Sequence, residues 1–469
     1  MGDLLAYWAD RLPGRTAVIC GDETVTFAEL DARANRLAHH YRDHGVSVDD
    51  LVTIALPNSV DFYAATFGAW KLGATPQPLP YRLPEPERAA LIELGRPAVV
   101  VDQDSLPDLH TPVDPVPAVV GASFKALASG GSTGRPKLIV AKSPSEFDPD
   151  VPVVQMRHGD VQLVPGPLYH NGPFSFSVSG LFVGSTLVVM ERFDAAEALR
   201  RIQEHRVTWV FFVPTMMHRI WNLPDRESYD LSSLRQVFST GAPWPVWLKE
   251  QWIRWLGPER IREGYGGTES QGGTSITGTE SLTHPGSVGL PQGGCAVRIL
   301  DELGDDVPTG EVGEIYFMPA GGPGSTYRYL GAEARSHDGW ETIGDLGYLD
   351  ADGYLYLVDR RTDMVVSGGA NVFPAEVEAA IDQYPGVRSC AVIGLPDDDL
   401  GQRVHAIVDL PGVDTTDPVA VEATSEALRA HLRDRIAAYK VPRTVELVDA
   451  PLRDDAGKVR RSALRDARL

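Results

Sequence analysis

A chain of 469 residues with 43% apolar content is long enough for several buried cores, and at about 150 residues per domain it predicts roughly three folded units. Its 64 acidic residues against 43 basic ones leave a net charge of -21, a field that repels phosphodiester backbones and anionic lipids, so neither nucleic acid nor membrane partners are expected. Cys20, Cys295 and Cys390 are widely separated, which implies no disulfide framework or structural zinc. With an acidic N-terminus and no membrane-length apolar run, the expected location is cytoplasmic.

In chain order, Thr26-Phe27-Ala28-Glu29 has the form of a capping box and predicts a helix start, with Leu30, Ala34, Leu37 and Tyr41 as its apolar stripe and Gly45 as its stop. A strand at 52–56 and a helix at 61–72 follow, and the alternation continues with a helix at 195–205 and strands at 208–213 and 236–239. This pattern predicts layered α/β structure. The proline-rich and acidic segment 102–121 reads as a surface connection. Between 297 and 356 the texture changes to short strands split by Gly and Asp turns, a β-rich portion. The tail predicts helices at 374–381 and 425–438 flanking a strand at 404–408, a small α+β unit.

The run Ser129-Gly130-Gly131-Ser132-Thr133-Gly134-Arg135-Pro136-Lys137 is suited to wrapping a polyphosphate. Glycines let backbone N–H groups face an anion, and hydroxyls and an ammonium add donors. A flexible linker is the plainer alternative, but strand-like residues on both sides predict the tip of a hairpin. Arg135 and Pro136 stand where a Walker loop would open a helix, so a P-loop NTPase is excluded.

Downstream come Tyr265-Gly266-Gly267-Thr268-Glu269, Gly344-Asp345, Asp359-Arg360-Arg361-Thr362-Asp363 with Ser367-Gly368-Gly369, and Gly457-Lys458. Taken singly, Glu269 and Asp345 read as surface charges, Tyr265 as a core aromatic and Lys458 as part of a basic tail. In this order the set resembles the adenylate-forming superfamily of acyl-CoA synthetases, luciferases and peptide-synthetase adenylation domains, with acid–CoA ligases nearest. The resemblance spans almost the whole chain.

The resemblance implies an α/β fold with a large N-terminal adenylation domain, 1–361, and a small mobile C-terminal domain, 362–469, hinged at Asp363. It implies an enzyme that joins a carboxylate to the α-phosphate of ATP, releases pyrophosphate, and passes the acyl group to CoA; an amine or a carrier-protein thiol stays open as acceptor, and a non-catalytic nucleotide-binding module is the remaining alternative. By the same resemblance, Ser129 to Gly134 and Lys137 cradle the β- and γ-phosphates, Thr268 serves the α-phosphate, and Glu269 holds Mg²⁺. Gly241-Ala242-Pro243 and Tyr265 form the adenine slot, Asp345 takes the ribose hydroxyls, and Arg360 adds a ribose or phosphate contact. Lys458 is the mobile catalytic lysine. Ser367, Gly368 and Gly369 line a pantetheine tunnel.

For the acid, Pro167 to Phe174 sits where the family places one pocket wall, with His170, Asn171 and Phe174 in it. No aspartate is present there to hold an amino-acid ammonium, which favours a simple carboxylic acid. Phe176, Phe212, Val213 and Met217 are expected as further apolar lining, and Gly266, Gly267 and Gly272 as room for a bulky acyl group. The acidic approach Pro451 to Asp455 leaves the acceptor unsettled, and a monomer or homodimer is equally compatible.

Overall fold

The computed structural model describes residues 1–109, 113–130, 136–454 and 457–469, without the side chains of 129, 130 and 136. Gly131, Ser132, Thr133 and Gly134 therefore lie outside the described residues. The architecture is mixed α/β, with a large N-terminal part and a small C-terminal one.

The expected capping box forms: Thr26 accepts from the Glu29 N–H at 3.2 Å, and Glu29 accepts from the Thr26 N–H at 2.8 Å, opening the helix Phe27–Asp43. Ser59 caps the helix Val60–Lys71 by accepting from the Phe62 N–H at 3.2 Å. Both helices pack over one face of the largest sheet. The middle of that sheet is five parallel strands in the order Thr186–Val189, Val161–Val164, Trp209–Phe212, Gln236–Ser239 and Ile261–Gly266. On one side it ends with Thr16–Cys20 and Glu23–Thr26, and on the other it runs into the antiparallel β-rich portion through Gly273–Thr277 and Ser287–Pro291.

Near-continuous apolar strands mark a parallel sheet covered on both faces. The helix Asn171–Phe182 lies against one face, where Phe176 meets Phe211. On the other face Phe212 meets Trp252 of the helix Val246–Leu256. The strand period of two therefore sends Phe211 and Phe212 into different layers.

The phosphate-loop segment is the expected hairpin. Ala126–Gly130 pairs antiparallel with Pro136–Ala141, with Ser129 opposite Lys137, and Tyr327–Leu330 adds a third strand. Loops at the C-terminal ends of the parallel strands face the same region.

In the C-terminal part, strands Ser389–Asp397, Gly401–Asp409 and Thr444–Val448 form a separate sheet over their own apolar cluster. The helix Pro374–Ile381 is as expected, but the next one is Pro418–Arg433, not 425–438. Asp417 caps it through the Val419 N–H and Pro418 takes the first helical position, a start signal stronger than the later apolar spacing. Among the described residues, no helix is long and apolar enough to cross a membrane.

Candidate active site

Glu269 is the centre of the site. The strands Ile261–Gly266 and Gly273–Thr277 form a hairpin whose connection carries Thr268 and Glu269 over the edge of the phosphate hairpin. The Tyr329 hydroxyl donates to Glu269 Oε1 at 2.6 Å, and Lys137 Nζ lies 3.5 Å from the same oxygen and 4.0 Å above the Tyr329 ring. Lys137 and Glu269 are thus neighbours. Tyr329 was not among the sequence candidates, because a tyrosine in a short strand carries no motif of its own.

A Cβ on Gly267 would lie 2.8 Å from Glu269 Oε2, so glycine there leaves the carboxylate room. Gln271 is 1% exposed, and its Oε1 is buried without a hydrogen-bond partner. A buried carboxylate beside an unpartnered amide oxygen is a hard-oxygen donor set that would suit Mg²⁺.

Toward the nucleotide end, the Tyr265 hydroxyl donates to Asp345 Oδ2 at 2.8 Å, and Arg360 Nε reaches Asp345 Oδ1 at 3.2 Å. Asp345 and Arg360 face each other because Asp345–Leu349 and Leu355–Arg360 pair in register at those residues. Each carboxylate oxygen keeps a lone pair for an incoming hydroxyl. Burial, then the charge of Asp345, raises the Tyr265 pKa well above its ordinary value, so the phenol stays protonated and donating. Gly241, two residues past the strand Gln236–Ser239, takes φ +92°, a conformation glycine adopts without strain, and faces Val213.

Lys458 reaches this region from the other end of the chain. Arg453, Asp454, Gly457 and Lys458 make a tight turn: Asp454 N–H donates to the Lys458 carbonyl at 2.9 Å, the Lys458 N–H to Asp454 Oδ1 at 2.8 Å, and Arg453 Nη1 to the Gly457 carbonyl at 3.2 Å. Gly457 is pressed so close to the large domain that a Cβ would lie 2.7 Å from Thr215 Oγ1 and 3.6 Å from Val213 Cγ2. Loss of hydration lowers the Lys458 pKa, with Asp454 and Glu269 acting upward and Arg360 downward. The lysine therefore stands in the field of both Glu269 and Arg360.

His170 caps the Asn171–Phe182 helix, with Nε2 3.8 Å from Asp454 Oδ2. Burial, then the charge of Lys458, pushes its pKa down to about 3, so the imidazole is neutral at physiological pH and forms no ion pair with Asp454. A second unexpected residue lies behind it. Lys125, 4% exposed, donates to Asn171 Oδ1 and, at 2.9 Å, to Ser175 Oγ. It ties the base of the phosphate hairpin to the first turn of the pocket helix.

Several expected pocket residues lie elsewhere. Phe174 is fully buried against Phe62 and Trp70, because the helix turns it away from the sheet. Met217 is fully buried in the opposite layer, where its carbonyl accepts from Trp252 Nε1. The room left by Gly272 is filled by Phe317, 2.4 Å from the position of a Cβ. Asn171 is engaged by Lys125. Val213, Gly266 and Gly267 remain around the site. Ser367, Gly368 and Gly369 form the turn of the hairpin Val365–Ser367 and Ala370–Val372, with Gly369 open to solvent space. Asp363 is ion-paired with Arg461 at 2.8 Å.

The chain matches the family described as AMP-binding enzyme over residues 5–125 and 127–330, and that family's C-terminal domain over 376–458. It is 34% identical to a feruloyl-CoA synthase from Amycolatopsis sp, over 97% of this chain and 96% of the relative. It is similar in structure to o-succinylbenzoate CoA synthetase from Bacillus subtilis solved with its acyl-adenylate intermediate, with TM-score 0.81, 26% identity and coverage of 99% and 98%. The same enzyme with ATP and magnesium ion gives TM-score 0.80, 27% identity and coverage of 99% of each chain. A mutant of an amide bond synthetase from Marinactinospora thermotolerans gives TM-score 0.80 at 25% identity, covering 100% of both chains. Motif order, paired site residues and likeness along the whole chain agree: the protein belongs to the AMP-binding enzyme family, the adenylate-forming ligases.

Proposed function

We propose that this protein activates a carboxylic acid with ATP and passes the acyl group to CoA. The observation that carries the reading is the docked Gly457-Lys458 turn, which brings an ammonium from the C-terminal domain into the field of Glu269 and Arg360. Joining two anions requires such cations, since negative charge spreads over the acyl carboxylate and the α-phosphate in the transition state.

In this reading Lys137 and the hairpin hold the β- and γ-phosphates, and Thr268 the α-phosphate. Glu269, with Gln271 beside it, holds Mg²⁺, which supplies charge neutralisation to the polyphosphate. Tyr265, the turn at Gly241 to Pro243, Asp345 and Arg360 orient the nucleoside. The carboxylate oxygen attacks the α-phosphorus, the bond to the β-phosphate oxygen breaks, and pyrophosphate leaves. Lys458 bridges the two reacting groups. The neutral imidazole of His170 shapes the entrance without adding charge. Rotation about Asp363 then exchanges the Lys458 turn for the 367–369 hairpin, along which the CoA thiol approaches the acyl carbon and displaces AMP.

The likeness to an amide bond synthetase over the whole chain supports an amine as the second reading of the acceptor. The test is mass spectrometry of products from ATP, Mg²⁺ and a panel of acids, run with CoA, with amines and with neither. An acyl-CoA product supports the first reading and an amide formed without CoA the second. Absence of AMP with every acid refutes both.

A further inference from the structure

We propose that Phe176, Phe211 and Phe238 form a floor across the acid-binding crevice, so that this chain takes a compact acid of about single-ring size and excludes long linear acyl chains; the inference rests on the adenylation reading above.

In the adenylation reading the reacting carboxylate lies beside the Lys458 turn, where His170 Nε2 is 3.8 Å from Asp454 Oδ2 and feels the charge of Lys458. From there the helix Asn171–Phe182 runs inward over the sheet face that carries Phe211 and Phe238. These two rings are direct partners in parallel register, so they stand side by side on adjacent strands. An acyl tail leaving Lys458 and pointing into the protein must pass between the helix and these rings.

That passage is closed early. Gly172 lies so close to Phe211 that a Cβ would be 2.7 Å from ring atom Cε1. At about 1.5 Å of rise per residue, Gly172 is only about 3 Å along the helix axis from His170. One turn deeper, Phe176 meets the Phe211 and Phe238 rings with centroids 5.1 Å away in each case. On the far side the Phe238 ring closes on Gly264, where a Cβ would lie 2.8 Å from Cζ. Glycine on both flanks lets the rings fill the gap, and Phe176 and Phe211 also line a small cavity with Gln162.

Close-packed rings at rotamer minima do not yield a channel without strain, whereas ring edges suit the face of an aromatic acyl group in edge-to-face contact. Phe176 and Phe238 already meet this way, at an interplanar angle of 74°. The glycines around the mouth therefore do not by themselves give depth.

The test measures acid-dependent AMP formation by the full chain with ATP, Mg²⁺ and CoA, using benzoate and 4-hydroxybenzoate against decanoate and dodecanoate. The wild type, Phe211→Ala, Phe238→Ala and the milder Phe211→Leu are compared, with circular dichroism as the check on folding. The wild type is expected to prefer the single-ring acids in kcat/KM, and the Phe211 variants to shift the ratio toward decanoate on the order of tenfold or more. Equal use of dodecanoate and benzoate by the wild type, or an unmoved ratio in folded Phe211→Leu and Phe238→Ala, would overturn the floor alone. AMP from no acid in any protein would overturn the adenylation reading, and the floor with it.

Discussion

Asp454 accepts the main-chain N–H of Lys458 at 2.8 Å, closing the turn from which that lysine enters the site. The acidic approach to Lys458, which in the sequence leaves the acceptor unsettled, here orders the backbone that presents the cation. Asp454→Ala is expected to slow adenylation on the order of tenfold by loosening that presentation. Because Asp454 is exposed, the melting temperature is expected to stay nearly unchanged. Pyrophosphate exchange beside a thermal melt separates the two effects, and a lowered melting temperature with normal exchange would refute the account.

Lys458→Ala removes the bridging ammonium itself. The expected loss of adenylate formation is on the order of 10²-fold or more, with ATP affinity nearly intact, as when a contact made mainly in the transition state is lost. Single-turnover adenylate formation and nucleotide titration are the measurements. An unchanged rate would remove Lys458 from the mechanism.

Glu378 is buried at the heart of the C-terminal part, where Arg461 reaches both its oxygens at 2.8 and 2.9 Å and Arg453 pairs with it at 2.7 Å. Burial drives its pKa up, but Arg461, Arg453 and the Val392 N–H together hold it below the ordinary carboxylate value. A depressed folded pKa gives stability that is complete above the unfolded value of 4.5 and is lost as pH falls through the folded value. Arg461→Ala is expected to cost about 3 kcal/mol at neutral pH, since breaking one side of a buried pair leaves charge uncompensated. Arg461 also holds Asp363, so the variant is expected to alter the partition between adenylation and acyl transfer as well. Denaturant unfolding from pH 7 to pH 3 and the ratio of the two half-reactions test both statements.

Lys125 titrates in the opposite range. Burial pushes its pKa down to about 7, with Glu269 acting upward. The unfolded chain keeps this proton up to about pH 10.5, so unfolding between pH 7 and 10 takes up a proton and stability from this group rises with pH. Lys125→Met is expected to flatten that rise and, by freeing Asn171 and Ser175, to raise the KM for the acid. If the wild-type and variant melting curves run parallel from pH 7 to 10, Lys125 is charged in the fold and the assignment fails.

Much of the site is legible in the sequence because its chemistry is carried by short contiguous runs. A glycine-rich loop between strand-like segments, a Tyr-Gly-Gly-Thr-Glu run and a Gly-Lys near the C-terminus each need specific residue types at fixed spacing, and local backbone geometry imposes that spacing. The capping box at Thr26 and the helix at 374 were legible for the same reason: the interactions that start a helix lie within four residues of one another. The helix at 418 shows the limit, since its Asp-Pro start signal outweighs the apolar spacing further along.

What only the tertiary structure decided are relations between distant segments. Tyr329 reaches Glu269 across 60 residues, and Lys125 grips a helix 46 residues on. Phe211 faces the helix Asn171–Phe182 while Phe212 faces the opposite layer, and Phe174, which the family resemblance offered as pocket lining, is turned into the core. Composition identifies an apolar residue, but the layer it joins depends on the phase of the strand or helix against its neighbours. That phase is set by packing across the whole sheet, which makes the depth of the acid pocket a property of the fold and not of any one motif.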